Sequence, residues 1–197
     1  MHRFRFTTFL TSNIDIDKNT LDELLGHCQM RFVNKGDFLV RAGEFCTHSF
    51  FVEQGLLRQY SIDKKGKEHI VQFAPENWFV TDRESLFFNQ PSSYFIQALE
   101  NTEVLLVDER FINELAQSNR AFLDFNNKLL HSHIRQLQKR ITQLLSATAE
   151  ERYLDFIRIY PDLLLRVPQI LVASYLGITP ESLSRVRKEL AQKNFRR

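Results

Sequence analysis

Gln169–Leu190, reading QILVASYLGITPESLSRVRKEL, decides the C-terminal part of the fold. Small Ala173 stands where two helices must touch, Gly177 follows four residues later, and Val172, Leu176, Ile178, Leu183 and Val186 supply apolar inward faces. Two short helices crossing steeply, a helix-turn-helix, need this arrangement. A glycine turns the chain at little steric cost, and an alanine lets the backbones approach. The second helix carries its own start signal, with Thr179 as N-cap, Pro180 at the first helical position and Glu181 where the helix dipole favours an anion. Leu183, Val186 and Leu190 then face inward, leaving Glu181, Ser182, Ser184, Arg185, Lys188 and Glu189 outward. Such an outer face suits the major groove of DNA.

Charge follows the same division. The whole chain of 197 residues carries a formal net charge of +2, yet from Thr179 onward six basic residues (Arg185, Arg187, Lys188, Lys193, Arg196, Arg197) stand against Glu181 and Glu189. The remainder is therefore slightly acidic, and positive charge collects on the second helix and its exit.

Upstream of this stretch, Arg152–Tyr160 reads as a helix whose Tyr153, Leu154, Phe156 and Ile157 can pack beneath the pair, and Pro161 ends it. The pattern breaks around Ser146–Glu150, a hinge. Before the hinge, Leu123, Asn127, Leu130, Ile134, Leu137, Ile141 and Leu144 recur at alternating steps of four and three over a helix from Asn119 to about Leu145. That is the seam of a two-stranded coiled coil, with Asn127 fixing register at a cost in stability. Phe122, Phe125, Leu129 and His133 lie off the seam and suit packing on the preceding domain. His131 and His133 are two apart on a helix and so cannot grip one ion together. A shorter helix is expected over Asp108–Gln117.

Further upstream, from Met30, the pattern changes. MRFVNKG, DFLVRAGE, HSFFVEQG, LLRQYSID, KEHIVQFA, SYFIQALE and TEVLLVDE are short, rich in Phe, Val, Ile and Tyr, and punctuated by Gly36, Gly43, Gly55 and Gly66. Regular short strands of this kind predict an antiparallel roll or sandwich. Lys18–Cys28, with Leu21, Leu24 and Leu25, predicts a short helix after an irregular start.

The segments KGDFLVRAGE, FFVEQGLLRQY and KKGKEHIVQFAPENWF, in this order and followed by the helix-turn-helix, resemble the Crp/Fnr family of bacterial transcription regulators. The resemblance implies an α+β chain: a jelly-roll-like antiparallel β-roll of the cyclic-nucleotide-binding type over 1–118, a dimerisation helix and hinge over 119–146, and a helical DNA-binding domain over 147–197. It makes Thr179, Glu181, Ser182, Arg185, Arg187 and Lys188 the candidate DNA-binding residues. Many relatives have a base-reading arginine where this chain has Pro180, so a different base code is expected. In nucleotide-binding members a Gly-Glu pair holds the ribose and an Arg followed by Ser or Thr binds the phosphate. Here Ser92 falls at the arginine position, Ser93 at the hydroxyl position, and Thr81, Asp82, Arg83 and Glu84 stand near the missing Gly-Glu pair. Arg83 is a possible substitute, with a nearby acid competing for it. Cyclic AMP is accordingly not expected as a tight ligand. Trp78, Phe79, Phe87, Phe88, Tyr94 and Phe95 could instead fill the cavity, with an unidentified small effector as the open alternative. Only QKNFRR follows Ala191, so a wing beyond the second helix is expected to be absent or truncated, with Lys193, Arg196 and Arg197 as partial substitutes.

Composition narrows the classes. Two cysteines, Cys28 and Cys46, are too few for a disulfide framework or a four-cysteine iron–sulfur cluster. No apolar run approaches the roughly 20 residues that span a bilayer, and a cytoplasmic protein without a membrane partner is expected. His2, His27, His48, His69, His131 and His133 show no HxH in the strand region, which argues against a cupin-like metal enzyme, and no serine or cysteine has an evident base partner. The expectation is a non-enzymatic homodimer binding a near-palindromic double-stranded operator, with RNA polymerase as a further candidate partner and no metal or cofactor. Its competitor is a ligand-sensing or protein-interaction module without specific DNA binding.

Overall fold

A computed structural model describes residues 5–26 and 28–195. His2, His27, Arg196 and Arg197 lie outside the described residues, as does the side chain of Leu24. The chain divides into two compact units: the described residues of 1–62 with 71–131, and those of 63–70 with 132–197.

The first unit holds eight strands, completed by the start of one that begins in the second. They are β1 (Gln29–Val33), β2 (Phe38–Val40), β3 (Ser49–Gln54), β4 (Leu57–Ile62), β5 (Glu68–Ala74), β6 (Phe79–Val80), β7 (Phe95–Ala98) and β8 (Thr102–Val107). All seven predicted segments contain a strand. The eighth, β6, is two residues long and too short to show alternation. Two four-stranded sheets form, in the orders β1-β8-β3-β6 and β2-β7-β4-β5. Alternation sorts the side chains of β3 and β8: Phe50, Val52 and Val104 enter the core between the sheets, whereas Phe51 and Leu105 face the helices. At Gly55, φ is +96° and an added Cβ would stand 2.6 Å from the Thr102 hydroxyl, so only glycine fits between β3 and β4.

Helices cover the outer face of the first sheet. They are α1 (Arg5–Thr11), α2 (Lys18–Leu25) and, after the short α3 (Arg83–Phe88) that precedes β7 and takes no part in this cover, α4 (Glu109–Ser118) and the start of α5 (Arg120–Ser146). The expected irregular start is in fact α1. Its Phe6 and Leu10 join a cluster with Phe51, Phe111, Leu115 and Phe122, and buried Glu53 accepts the Arg5 and Phe6 amides at 2.6 and 2.9 Å. These stabilising contacts come from distant parts of the chain, which is why local pattern misses the helix.

The second unit contains the tip of the β4–β5 hairpin, the C-terminal part of α5, and α6 (Ala149–Ile159), α7 (Leu163–Arg166), α8 (Gln169–Leu176) and α9 (Pro180–Phe195). The expected hinge is short. Thr148 and Glu151 form a reciprocal capping box, so only two residues separate the end of α5 from the start of α6. Asp155 on α6 accepts Lys139 of α5 at 2.5 Å and Arg158 at 2.7 Å. Burial would raise its carboxyl pKa, but the hydrogen bonds from Lys139, Arg158 and Gln143 outweigh burial and hold it below the usual range. Tyr153, Phe156, Tyr160, Val172, Leu176 and Leu183 are buried together with Ala173. Among the described residues, no helix is long and apolar enough to cross a membrane.

Candidate nucleic-acid interface and roll interior

Helices α8 and α9 meet at Gly177, whose φ of +67° is the left-handed C-cap of α8. Its amide reaches back to Ser174 O, and that of Ile178 to Ala173 O, closing the turn. Thr179 caps α9 as its sequence implies, its hydroxyl accepting the Ser182 amide at 3.2 Å. The Glu181 carboxyl lies below its ordinary pKa because its own backbone N–H and then the Thr179 hydroxyl bond to it. Leu183 and Val186 are buried, Leu190 is half-buried, and Glu181, Ser184, Arg185, Lys188 and Glu189 are exposed. Ser182 and Arg187 are half-buried, so among the described residues the exposed cations of this face are Arg185 and Lys188. Lys193 instead grips Glu150 at 2.8 and 2.9 Å, and a phosphate would have to compete with that carboxylate.

Along α5 the seven seam residues divide by exposure. Leu123 and Leu130 are half-buried, while Asn127, Ile134, Leu137, Ile141 and Leu144 are exposed, Ile141 by 58%. Off the seam, Phe122 is buried, and Phe125, Leu129 and His133 are half-buried. Four large apolar side chains thus stand on one solvent-facing stripe.

Of the six pocket candidates, the structure brings two together, Asp82 and Ser92. Asp82 is the N-cap of α3, accepting the Glu84 and Ser85 amides, and its other oxygen accepts the Ser92 hydroxyl at 2.7 Å. Ser92 is held again through its backbone, to Gly43 N and Glu44 O. Thr81 donates to His48 O at 3.1 Å, and its own carbonyl takes the Gln59 amide. Arg83, Glu84 and Ser93 are exposed. The acid expected to compete for Arg83 does not do so: Asp82 is occupied by α3 and Ser92, and the guanidinium lies 4.9 Å from the Phe87 ring centre.

The centre of the roll is built mainly from side chains other than the expected aromatics. Val33, Val40, Phe50, Val52, Leu57 and Ile96 form its centre, and of the six named aromatics only Trp78 packs against them. Phe79 faces the helical cluster, Phe95 stacks on Tyr60, and Phe87 and Phe88 are exposed. A concavity of about 300 Å³ lies elsewhere, among Phe45, Ser85, Leu86, Asn89 and Arg110, and none of the six candidates lines it. Burial and then the charge of Asp108 push the Cys28 thiol up to about 11, which disfavours thiolate chemistry at neutral pH. Among the described residues no group of three or more His, Cys, Asp or Glu is placed to hold a metal.

Two contributors escaped the sequence reading. Ser174 Oγ accepts the Ile70 amide at 3.1 Å and donates to Glu68 O at 2.9 Å. Arg140 donates to Ile70 O at 2.8 Å and Tyr175 O at 3.2 Å, with its guanidinium 3.8 Å from the Tyr175 ring centre. Their partners are mostly backbone atoms, and backbone atoms leave no signature in sequence.

The architecture defines a class, an antiparallel β-roll in one chain with a helix-turn-helix. Comparison with known proteins agrees with it. The family model described as "Cyclic nucleotide-binding domain" matches residues 30–119. The chain is 28% identical over 183 residues to the transcriptional activator protein Anr of Pseudomonas aeruginosa, covering 86% of this chain and 72% of that protein. It is 26% identical over 165 residues to the anaerobic regulatory protein of Aggregatibacter actinomycetemcomitans, covering 78% and 63% respectively. The structure of FixK2 from Bradyrhizobium japonicum superposes with a TM-score of 0.71 at 19% identity, covering 85% of this chain and 86% of that one. Together these findings show a cyclic nucleotide-binding type of domain over residues 30–119 in a chain that is similar to the bacterial transcriptional activator protein Anr.

Proposed function

We propose that this protein is a homodimeric, sequence-specific DNA-binding regulator that reads a near-palindromic operator. The observation that carries this reading is the capped helix α9, anchored by Leu183 and Val186 while Glu181, Arg185 and Lys188 stay exposed. A guanidinium can bond both acceptors of a guanine edge, which makes Arg185 the first base-reading residue; Glu181 can accept from a cytosine amino group. Thr179 and Ser182 supply the cap and a hydroxyl, and Arg187 and Lys188 contact phosphates. Residues 1–118 act as sensor, 119–146 as dimer helix and hinge, and 147–197 as reader. The stripe from Leu123 to Leu144 pairs with its copy, placing two α9 helices about 34 Å apart, one turn of DNA.

Binding of cyclic AMP is not part of this reading. A buried phosphate needs cationic or amide donors, and the Ser92 position offers a hydroxyl already given to a carboxylate. The protein works in the cytoplasm without catalysis, with RNA polymerase as a further partner. Selection from random duplex DNA with purified protein tests the central claim. An enriched near-palindrome is expected; weak, salt-sensitive and unselective binding would favour a protein-interaction module instead.

A further inference from the structure

Strand β5 is the edge of its sheet, so its outward amides and carbonyls lack a neighbouring strand. Over Glu68–Ile70 helical side chains take that place. The Ser174 hydroxyl engages Glu68 O and Ile70 N, and Arg140 engages Ile70 O. All three backbone atoms belong to residues 68 and 70, which share the outward register of an antiparallel edge. A serine inside a helix ordinarily bonds back to its own preceding turn or points to water. Here the hydroxyl leaves α8 and completes the hydrogen bonding of a strand 104 and 106 residues away in sequence. Arg140 closes the arrangement by joining the same strand to the carbonyl and ring of Tyr175, the next residue of α8. β5 continues without interruption from Ile70 to Ala74.

We propose that Ser174 and Arg140 are positioning residues that dock the first helix of the reader onto β5, so that the orientation of α9 is set by this strand. The proposal rests on the DNA-binding reading above. A displacement along β5 would be passed to α8 through the two Ser174 hydrogen bonds and through Arg140, which bridges Ile70 O to Tyr175 O, and such directional bonds tolerate little misalignment. The reader is then tied to the hairpin as well as to the hinge.

Ser174→Ala and Ser174→Thr, with Arg140→Gln in parallel, separate this role from general stability. Amide exchange at Ile70 and through α8 is measured in each folded protein, together with affinity for the selected operator and for versions with its half-site spacing changed by one base pair. We expect Ser174→Ala to speed exchange at Ile70 and α8 at least tenfold and to change the ratio of affinities between spacings more than threefold, with Thr restoring both. A spacing ratio within threefold of the parent would overturn the proposal, as would Ile70 exchange unchanged in Ser174→Ala. If the parent protein selects no duplex, the DNA reading fails on its own account. The clamp is then judged by exchange, and acceleration at Ile70 without any in α8 would overturn it.

Discussion

Ser92 donates its hydroxyl to Asp82 Oδ2 at 2.7 Å with both side chains buried, so the position aligned with a phosphate-binding arginine faces a carboxylate. A nucleotide phosphate placed there would meet like charge and find no cation among Thr81, Asp82 and Ser92. Calorimetry with purified protein is expected to show no cyclic AMP binding at micromolar concentrations. Binding at micromolar affinity or tighter would mean that the phosphate is held elsewhere.

The same bond makes a prediction about stability. Hydrogen bonds to charged groups contribute about 1.5–3 kcal/mol, and Ser92→Ala leaves one oxygen of buried Asp82 without its donor. Denaturant unfolding should show a loss in that range. A change below about 0.5 kcal/mol would indicate that the carboxylate finds another donor.

The turn between α8 and α9 is sensitive to a single methyl group. Gly177 has φ +67°, and a Cβ there would stand 3.2 Å from Leu144 Cδ2. An alanine in the left-handed region costs about 1–2 kcal/mol, and the Leu144 side chain must also give way by a few tenths of an ångström. Gly177→Ala is expected to lower the unfolding free energy by about that amount and weaken DNA binding. Equal stability of variant and parent would contradict the geometry.

These particular residues show what sequence exposes and what it hides. The helix pair at Gly177 is legible because capping, proline and glycine effects act between near neighbours, as Thr179, Pro180 and Gly177 do. The strands are legible as short runs rich in Phe, Val, Ile and Tyr between glycine turns, although β3 and β4 are buried on both faces. The α1 helix is hidden because its cap, Glu53, stands 47 and 48 residues away from the amides it accepts. Ser174 is hidden for the same reason. On α8 it reads as an ordinary polar residue until β5 supplies backbone partners. The pocket candidates were placed by alignment, which located Asp82 and Ser92 without showing that they bond each other.

Asp63 governs the acid behaviour of the β4–β5 turn. Its carboxyl is held down to about 2 by the His69 side chain first, and then by the Lys67 and Lys65 amides. The folded value lies below the ordinary 3.8, so this contribution is fully present above about pH 4 and is lost as pH falls through about 2. NMR titration should find the low value, and Asp63→Asn should remove this part of the stability change between those limits. An Asp63 pKa near 3.8 in the folded protein would show that the turn does not hold the charge.

Dimer formation is tested on the exposed stripe. Ile141 is 58% exposed, so Ile141→Glu costs the lone chain little while placing a charge in the paired seam. Sedimentation should show monomers for the variant where the parent is dimeric, with operator affinity reduced at least tenfold. Each monomer retains one reader, and what it loses is the second half-site and its contribution to binding. A variant still dimeric at equal concentration would locate the interface on another surface.

Arg185 and Lys188 are both exposed on α9, but their chemistry predicts different failures. A guanidinium offers a planar pair of donors that matches the two acceptors of guanine, whereas an ammonium is a compact charge with freely rotating donors. Arg185→Ala should therefore cost about 1–3 kcal/mol at one base position and relax preference there. Lys188→Ala should weaken every duplex alike and lower the slope of log affinity against log salt by about 1. Measuring both variants on the selected operator, its single-base variants and an unrelated duplex at two salt concentrations separates the roles. If Arg185→Ala instead lowers all affinities equally and leaves base preference intact, Arg185 contacts phosphate, and reading of the base edge passes to Glu181 and Ser182, the outward residues of the first turn.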